Sequence, residues 1–225
     1  MKITDITGTL KNGMWSYGEP FPEYRMKPLP EVPWVKNRVW CEIFEGLNSQ
    51  CGTYLETPAH FFGYSESYML SDVPVERLID MPAEIIMLNL PQCGGQRHRI
   101  TLSELEAALD GRDIRPGGAI IVGCGWGNRW FSEDYLTKSP YFSREAMEKL
   151  ISLKPYLLGS DLPRWDSLEA PEGFWEEFYR ADILMLAPTV NLESLDTGKT
   201  HLLTVLPLKA EGTCCAPCRA IIKES

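Results

Sequence analysis

Short apolar segments bounded by polar or turn-forming residues recur along the whole chain, and strand-like segments outnumber helix-like ones. Alternating apolar and polar positions, or a short uninterrupted apolar run, are typical of β-strands. The pattern predicts strands over 2–7, 39–44, 50–56, 84–90, 119–122, 156–158, 183–186, 201–208 and 219–222.

A helical period is found in three segments. Thr101 and Glu104 fit the S/T-x-x-E pattern of a capping box, which predicts a helix over about 102–110. Ser143 is a favourable N-cap for a second helix, and a third is predicted over about 172–180. Apolar residues follow both N-caps at helical spacing: Leu102, Leu105, Leu109, Met147, Leu150 and Ile151.

Strands that outnumber helices, joined by long and irregular connections, indicate an α/β or α+β fold in one domain spanning 1–225. The segment 13–33 departs from both periods, because its prolines remove backbone donors that a helix or sheet would need. They are Pro20, Pro22, Pro28, Pro30 and Pro33. We therefore expect this segment to be an ordered loop or arm.

Composition and charge restrict the partners. The chain has 225 residues, 44% hydrophobic and 24% charged, which is ordinary for a globular protein with a sizeable core. Acidic residues number 31 against 22 basic ones, and no basic stripe is visible, so a nucleic-acid partner is not expected. No apolar run approaches the roughly 18 residues of a membrane span.

The cysteines indicate a reducing compartment. Seven are present, an odd number, in a chain that starts without a signal-peptide pattern. We therefore expect a cytoplasmic protein with reduced thiols. Cys214, Cys215 and Cys218 lie close together, but no second cysteine pair stands at zinc-ribbon spacing, so structural thiols are the better interpretation.

Candidate chemistry is concentrated in the segment 48–61. Side chains alternate along a strand, so Gln50, Tyr54 and Glu56 should share one face. In a straight strand, residues 50 and 54 would lie about 13 Å apart, too far to share a small ligand. A bend at Gly52 would bring them together, and Pro58 would then end the strand and direct His60 to the same pocket.

This segment resembles the motif H-x-G-T-H-x-D-x-P-x-H of the cyclase family of metal-dependent hydrolases, the family of bacterial kynurenine formamidase. Gln50 to His60 read Q-C-G-T-Y-L-E-T-P-A-H. Further similar pieces follow in the family's order at 5–7, 121–126, 158–161, 206–212 and 217–219. The resemblance implies an α/β fold with a mixed-sheet, β-barrel-like core and outer helices, assembled as a homodimer or homotetramer in which the arm serves a neighbour's pocket.

The departures from the motif concern the metal. The resemblance implies that two histidines and an aspartate bind zinc or manganese in relatives, and here these positions hold Gln50, Tyr54 and Glu56. An amide and a phenol are poor substitutes for imidazole. A later histidine and glutamate of the family align with Trp175 and Ala187. We therefore expect the family scaffold without its metal.

Two interpretations compete for each remaining motif residue. His60 is either a proton-transfer group or a histidine satisfied in a turn, and Glu56 is either its partner or base, or an ordinary solvated acid. Tyr54 either packs in the core or, like Gln50, polarises a carbonyl. Cys51 should face the other way, so a structural thiol is favoured over a nucleophile.

Outside the motif, the tryptophans in predicted loops, Trp15, Trp126 and Trp175, either pack in the core or form the wall of a site for an aromatic or otherwise flat apolar substrate. Asp161 and Arg219 match family positions, but a structural ion pair or turn-capping role is the default for both.

Together these features predict an enzyme that acts on a small cyclic or acyl carbonyl compound by amide or lactone hydrolysis, ring opening or cyclisation. His60 and Glu56 would supply acid–base chemistry. The alternative is a degenerate family member that binds a small molecule without turnover.

Overall fold

The computed structural model describes residues 1–37, 39–91 and 96–224. Its strands are β1 (Lys2–Asp5), β2 (Arg25–Pro28), β3 (Glu42–Glu45), β4 (Tyr54–Glu56), β5 (Met81–Met87), β6 (Arg99–Ile100), β7 (Ala119–Gly123), β8 (Tyr141–Phe142), β9 (Leu157–Ser160), β10 (Leu184–Ala187), β11 (His201–Pro207) and β12 (Cys215–Glu224). Its helices are α1 (Ala59–Phe62), α2 (Leu102–Leu109), α3 (Arg144–Ser152) and α4 (Trp175–Arg180). Single 3₁₀ turns lie at Leu70–Asp72, Val75–Leu78, Trp126–Arg129 and Leu192–Ser194.

Within these residues, seven strands close into a barrel in the order β12, β11, β5, β7, β9, β10, β4 and back to β12. The pairs from β5 through β10 are parallel, and the other pairs are antiparallel. The predicted mixed-sheet barrel with outer helices is thus confirmed.

The long strand β12 closes the barrel. Its first residues, Cys215 to Pro217, pair with β4, and Ile221 to Glu224 pair with β1 along the same edge. The opposite edge pairs with β11. One strand of ten residues therefore joins the chain's N-terminal strand to the short strand that carries the motif.

The two faces of the barrel wall pack against different layers. Leu55, Ile121 and Leu186 belong to the apolar cluster inside the barrel. Tyr54 and Met185 belong to a second cluster, between the barrel and the helices. Leu55 and its neighbours in β4 therefore point in opposite directions, as the predicted alternation requires.

The N-caps predicted at Thr101 and Ser143 are confirmed. Thr101 accepts a bond from the Glu104 amide at 3.3 Å, and the Glu104 carboxylate accepts from the Thr101 amide at 2.8 Å. Ser143 Oγ accepts from the Ala146 amide at 3.2 Å at the start of α3. The third helix starts at Trp175 rather than near 172, because Gly173 has a φ of +78° that a helix cannot include.

The proline-rich arm differs in part from its prediction. Arg25–Pro28 form β2, which pairs with β3 to make a two-stranded ribbon apart from the barrel. The arm lacks sequence periodicity, yet backbone pairing with β3 makes this part a strand. The strand predicted over 39–44 is β3 at Glu42–Glu45, and that predicted over 50–56 is reduced to β4, because residues 50–53 form a turn.

No helix in the described part of the chain combines the length and the hydropathy that crossing a membrane requires. Six cysteines, including Cys51, Cys214 and Cys218, are free thiols. Cys93 lies outside the described residues.

Candidate functional site

A cavity of about 580 Å³ lies between the outer face of the barrel and α4. Four of the motif side chains predicted to converge, Gln50, Tyr54, Glu56 and His60, line it. Trp175, from α4, lies on the same wall. The volume is in the range of small-molecule sites.

The turn before β4 brings Gln50 to the cavity. Gly52 has a φ of +73°, and a Cβ there would lie 2.6 Å from Leu10 Cδ2, so the turn requires glycine. As a result Gln50 Nε2 donates to Glu56 Oε2 at 3.1 Å. The bend predicted at Gly52 is confirmed.

His60 reaches the same carboxylate from the next element. Pro58, with a φ of −55°, is the N-cap of the single turn α1, which carries His60. Nδ1 of His60 lies 3.6 Å from Glu56 Oε2 and 3.8 Å from Cys214 Sγ. The imidazole is 41% exposed whereas the carboxylate is 1% exposed, so His60 stands between the buried acid and the open cavity.

Glu56 is held in a desolvated environment. The Tyr179 hydroxyl donates a short hydrogen bond to Oε1, while Gln50 donates to Oε2. Burial raises the pKa of Glu56, although His60, Tyr179 and Gln50 each oppose that shift by favouring the anion. A carboxyl group with a raised pKa, beside an imidazole, has the properties of an acid–base pair.

Tyr54 is buried, and its hydroxyl proton is already engaged. The Tyr17 hydroxyl donates to the Pro163 carbonyl at 2.8 Å, which can only accept. A phenol has one proton, so in the 3.0 Å contact between the two hydroxyls Tyr54 is the donor. Burial raises the pKa of Tyr54 well above its usual value, which keeps it a neutral phenol.

Sequence reasoning missed Tyr17, Tyr179 and Arg164, all of which line the cavity. Tyr179 could have been found, because it lies four residues after Trp175 on a predicted helix and must share its face. Their rings stack at 5.8 Å, and the Phe61 ring also stacks on Tyr179 at 5.8 Å. Tyr17 and Arg164 lie in irregular segments, where no period indicates direction.

Trp15 and Trp126 do not line this cavity, contrary to expectation. Trp15 packs edge-on against Trp130 at 5.2 Å, in a cluster beneath the arm. Trp126 donates from Nε1 to the Tyr135 carbonyl at 3.0 Å and borders a separate cavity of about 480 Å³. The 3₁₀ turn that begins at Trp126 determines where its indole points.

Asp161 and Arg219 have the structural roles that were the default. Buried Asp161 accepts from the backbone amides of Cys124, Trp126 and Gly127, at 3.1, 2.8 and 3.5 Å. It thereby fixes the turn after β7, and burial raises its pKa to about 6 despite these bonds. Arg219 forms an exposed ion pair with Asp5.

The two positions that align with the later histidine and glutamate implied by the family resemblance lie at or beside this site. Ala187 pairs with Tyr54 between β10 and β4, and Trp175 is on the cavity wall. The motif residues and the neighbouring tyrosines thus offer one carboxylate, one imidazole, one amide and phenols to this part of the cavity. In the described ranges, no three His, Cys, Asp or Glu side chains form a group that could hold a metal ion.

Comparisons with solved structures identify the same architecture. An isatin hydrolase bound to the product analogue thioisatinate is 20% identical with a TM-score of 0.81, covering 100% of this chain and 93% of the other. Isatin hydrolase A from Labrenzia aggregata, bound to benzyl benzoate, is 18% identical with a TM-score of 0.82, covering 98% and 93%. A protein from Bacillus stearothermophilus described as a predicted metal-dependent hydrolase is 17% identical with a TM-score of 0.75, covering 98% and 97%.

No curated protein sequence matches the chain. A family model described as "Putative cyclase" matches residues 4–167, which is more than half of the chain and includes the whole motif segment. With the barrel and the order of the motif pieces, this match shows that the chain belongs to the cyclase family.

Proposed function

We propose that the protein is an enzyme that acts on a small cyclic or acyl carbonyl compound, by hydrolysis, ring opening or cyclisation. The observation that carries the proposal is the contact of exposed His60 with buried Glu56 at a cavity. The family membership and the fold shared with isatin hydrolases support this class of reaction.

The roles of the polar groups follow from their hydrogen bonds. His60 would take a proton from the attacking water or hydroxyl and return it to the leaving group, with Glu56 orienting the imidazole and stabilising its cation. Gln50 has a second amide N–H with no acceptor among the described residues, so it would donate to the substrate carbonyl. Tyr54 would contribute only packing beside Gln50 and Glu56, because its hydroxyl already donates its one proton to Tyr17.

The chemistry of the donor set supports a reaction without the zinc or manganese that the family resemblance implies. Both oxygens of Glu56 accept hydrogen bonds, Gln50 presents its N–H₂ group to that carboxylate, and Tyr54 is a neutral phenol. Of the donors that zinc and manganese prefer, namely carboxylate, imidazole and thiolate, these three motif positions keep only the carboxylate of Glu56, so they fit such a metal poorly. No step of the proposed mechanism involves a metal.

The test compares wild type, His60→Ala and Glu56→Gln on aryl formamides, lactones and dienelactones, with and without a chelator. We expect chelator-resistant turnover, lowered in both variants by about 100-fold or more, the usual contribution of a general acid or base. Tyr64→Phe, an exposed tyrosine outside the cavity, serves as a control.

Two results would contradict the proposal. Tight stoichiometric zinc or manganese in the purified protein, with chelator-sensitive activity, would overturn metal independence. Binding of these compounds with no turnover in any of the proteins would favour the binding-only alternative.

A further inference from the structure

Arg164 is a cation of the cavity wall that has no anionic partner among the residues the structure describes. It lies after β9 and is half-buried, with its guanidinium carbon 5.9 Å from the centre of the Tyr17 ring. In the described chain, no carboxylate lies within 4.0 Å of its guanidinium, and no side-chain hydrogen bond involves it. Asp166 also lines the cavity, but its Oδ1 accepts from the backbone amides of Ser167 and Glu172 instead.

The backbone that carries Arg164 is fixed in place. Arg97 donates to the carbonyls of Arg164 and Asp166, each at 2.8 Å, and Tyr17 donates to that of Pro163 at 2.8 Å. Arg97 is itself satisfied by these carbonyls, unlike Arg164. Arg97 therefore fixes the backbone of this segment, and the Arg164 side chain lines the cavity.

The surroundings of Arg164 indicate what it would bind. Aromatic rings form much of the wall, with Trp175 stacked on Tyr179 and then Phe61. A guanidinium beside such a wall binds a planar oxyanion with two parallel hydrogen bonds, while flat rings pack on the aromatic side chains. The carboxylate of Glu56, the other acid of the site, already accepts hydrogen bonds from neutral donors and lies beside His60.

We propose that Arg164 is a specificity-determining residue for a carboxylate, so that the substrate is an aromatic carbonyl compound carrying a carboxylate group. The carboxylate would lie on Arg164 and the reacting carbonyl at His60. This inference rests on the proposed function for the reacting end, but the carboxylate subsite can be tested by binding alone.

The kinetic test uses a matched pair of probes, 4-formamidobenzoate and 4-formamidobenzamide, which differ in one group, an anionic carboxylate against a neutral carboxamide of similar shape. We expect wild type to favour the acid in kcat/KM by roughly 10- to 100-fold, the range that a charged hydrogen bond supplies. Arg164→Met should abolish that preference while leaving the amide little changed, and Arg164→Lys should restore part of it. Arg115→Met removes an exposed arginine outside the cavity and should change neither substrate.

The binding test separates failure of this inference from failure of the proposed function. Titration calorimetry compares 4-aminobenzoate with 4-aminobenzamide on wild type and Arg164→Met. Preference for the acid that disappears in Arg164→Met supports the subsite even if no probe is turned over. Equal affinities in wild type, or a preference that survives in Arg164→Met, would overturn it even if the neutral formamide is a good substrate.

Discussion

At the residue scale, Glu56 connects the barrel to the site. It pairs with Met185 on one side and Cys215 on the other, so its backbone is fixed by two strands. Its side chain points away from the barrel interior, and its carboxylate is contacted by Gln50, Tyr179 and His60. The glutamate in place of the family's aspartate therefore organises hydrogen-bond donors.

The buried carboxyl of Glu56 should make stability depend on pH. Because burial raises its pKa, the folded protein holds this proton more tightly than the unfolded chain does. Its contribution to the free energy of unfolding is therefore present at low pH and is lost as pH rises from the unfolded pKa through the folded one. Relative to wild type, Glu56→Gln should gain stability as pH rises, measured by urea denaturation across that range.

Glu172 provides a control in which the pKa shift, and hence the pH dependence of stability, has the opposite sign. The Arg99 guanidinium bonded to Glu172 lowers the pKa of that carboxyl. Glu172→Gln should therefore lose stability relative to wild type as pH rises from the lowered folded pKa of Glu172 to the unfolded one, a range that lies just below that of Glu56. A Glu56→Gln difference that is flat, or that has the slope of Glu172→Gln, would contradict a raised pKa at Glu56.

At the element scale, the turn before β4 determines whether the motif forms a site at all. Gly52 is in the left-handed region at +73°, and a Cβ there would lie 2.6 Å from Leu10 Cδ2. Gly111, after α2, is also left-handed at +66° but has open space around it. The two glycines thus share the conformational requirement and differ in packing.

We expect Gly111→Ala to destabilise the protein by about 1 kcal/mol, from the left-handed backbone alone. Gly52→Ala should cost more, since Leu10 or the turn must move, and it should also weaken activity through Gln50. Urea denaturation and kcat/KM measure the two effects. Equal stability losses, with activity retained in Gly52→Ala, would show that the turn does not position Gln50.

Elements with local signals could be predicted, and those that depend on distant partners could not. The caps at Thr101 and Ser143 operate within one turn of helix, so the sequence around them sufficed. β2 exists because β3 pairs with it, and its own four residues, ending in Pro28, show no strand period. The directions of Trp15 and Trp126 likewise depend on packing and on the Asp161 turn, which no spacing shows.

At the scale of the whole molecule, barrel closure could not have been derived from periodicity. Strand patterns indicate which segments are extended, whereas the order of strands depends on pairings such as β12 with β4, across about 160 residues of chain. The family resemblance supplied the mixed-sheet barrel with outer helices, but not the order of its strands. Ala187 pairs with Tyr54, and Trp175 lies on the cavity wall.

The ribbon of β2 and β3 is an apolar surface outside the barrel. Met26 and Phe44 lie directly opposite each other on it and are 47% and 55% exposed, and Trp34, in the connection between the strands, is 82% exposed. A two-stranded ribbon is marginally stable in water on its own, and exposed apolar patches commonly mark subunit contacts. We therefore predict that the ribbon contacts a second copy of the chain in a homodimer or homotetramer.

The prediction is tested by light scattering after size-exclusion chromatography at micromolar concentration. Wild type should be oligomeric, and the double variant Trp34→Ser with Phe44→Ser should shift towards monomer, because two apolar contacts are replaced by polar groups. Leu208→Ser, at a residue that is 55% exposed elsewhere, is the control and should remain oligomeric. A monomeric wild type, or a double variant that keeps its mass, would show that the ribbon is not the interface, since its exposed rings would then have no role in assembly.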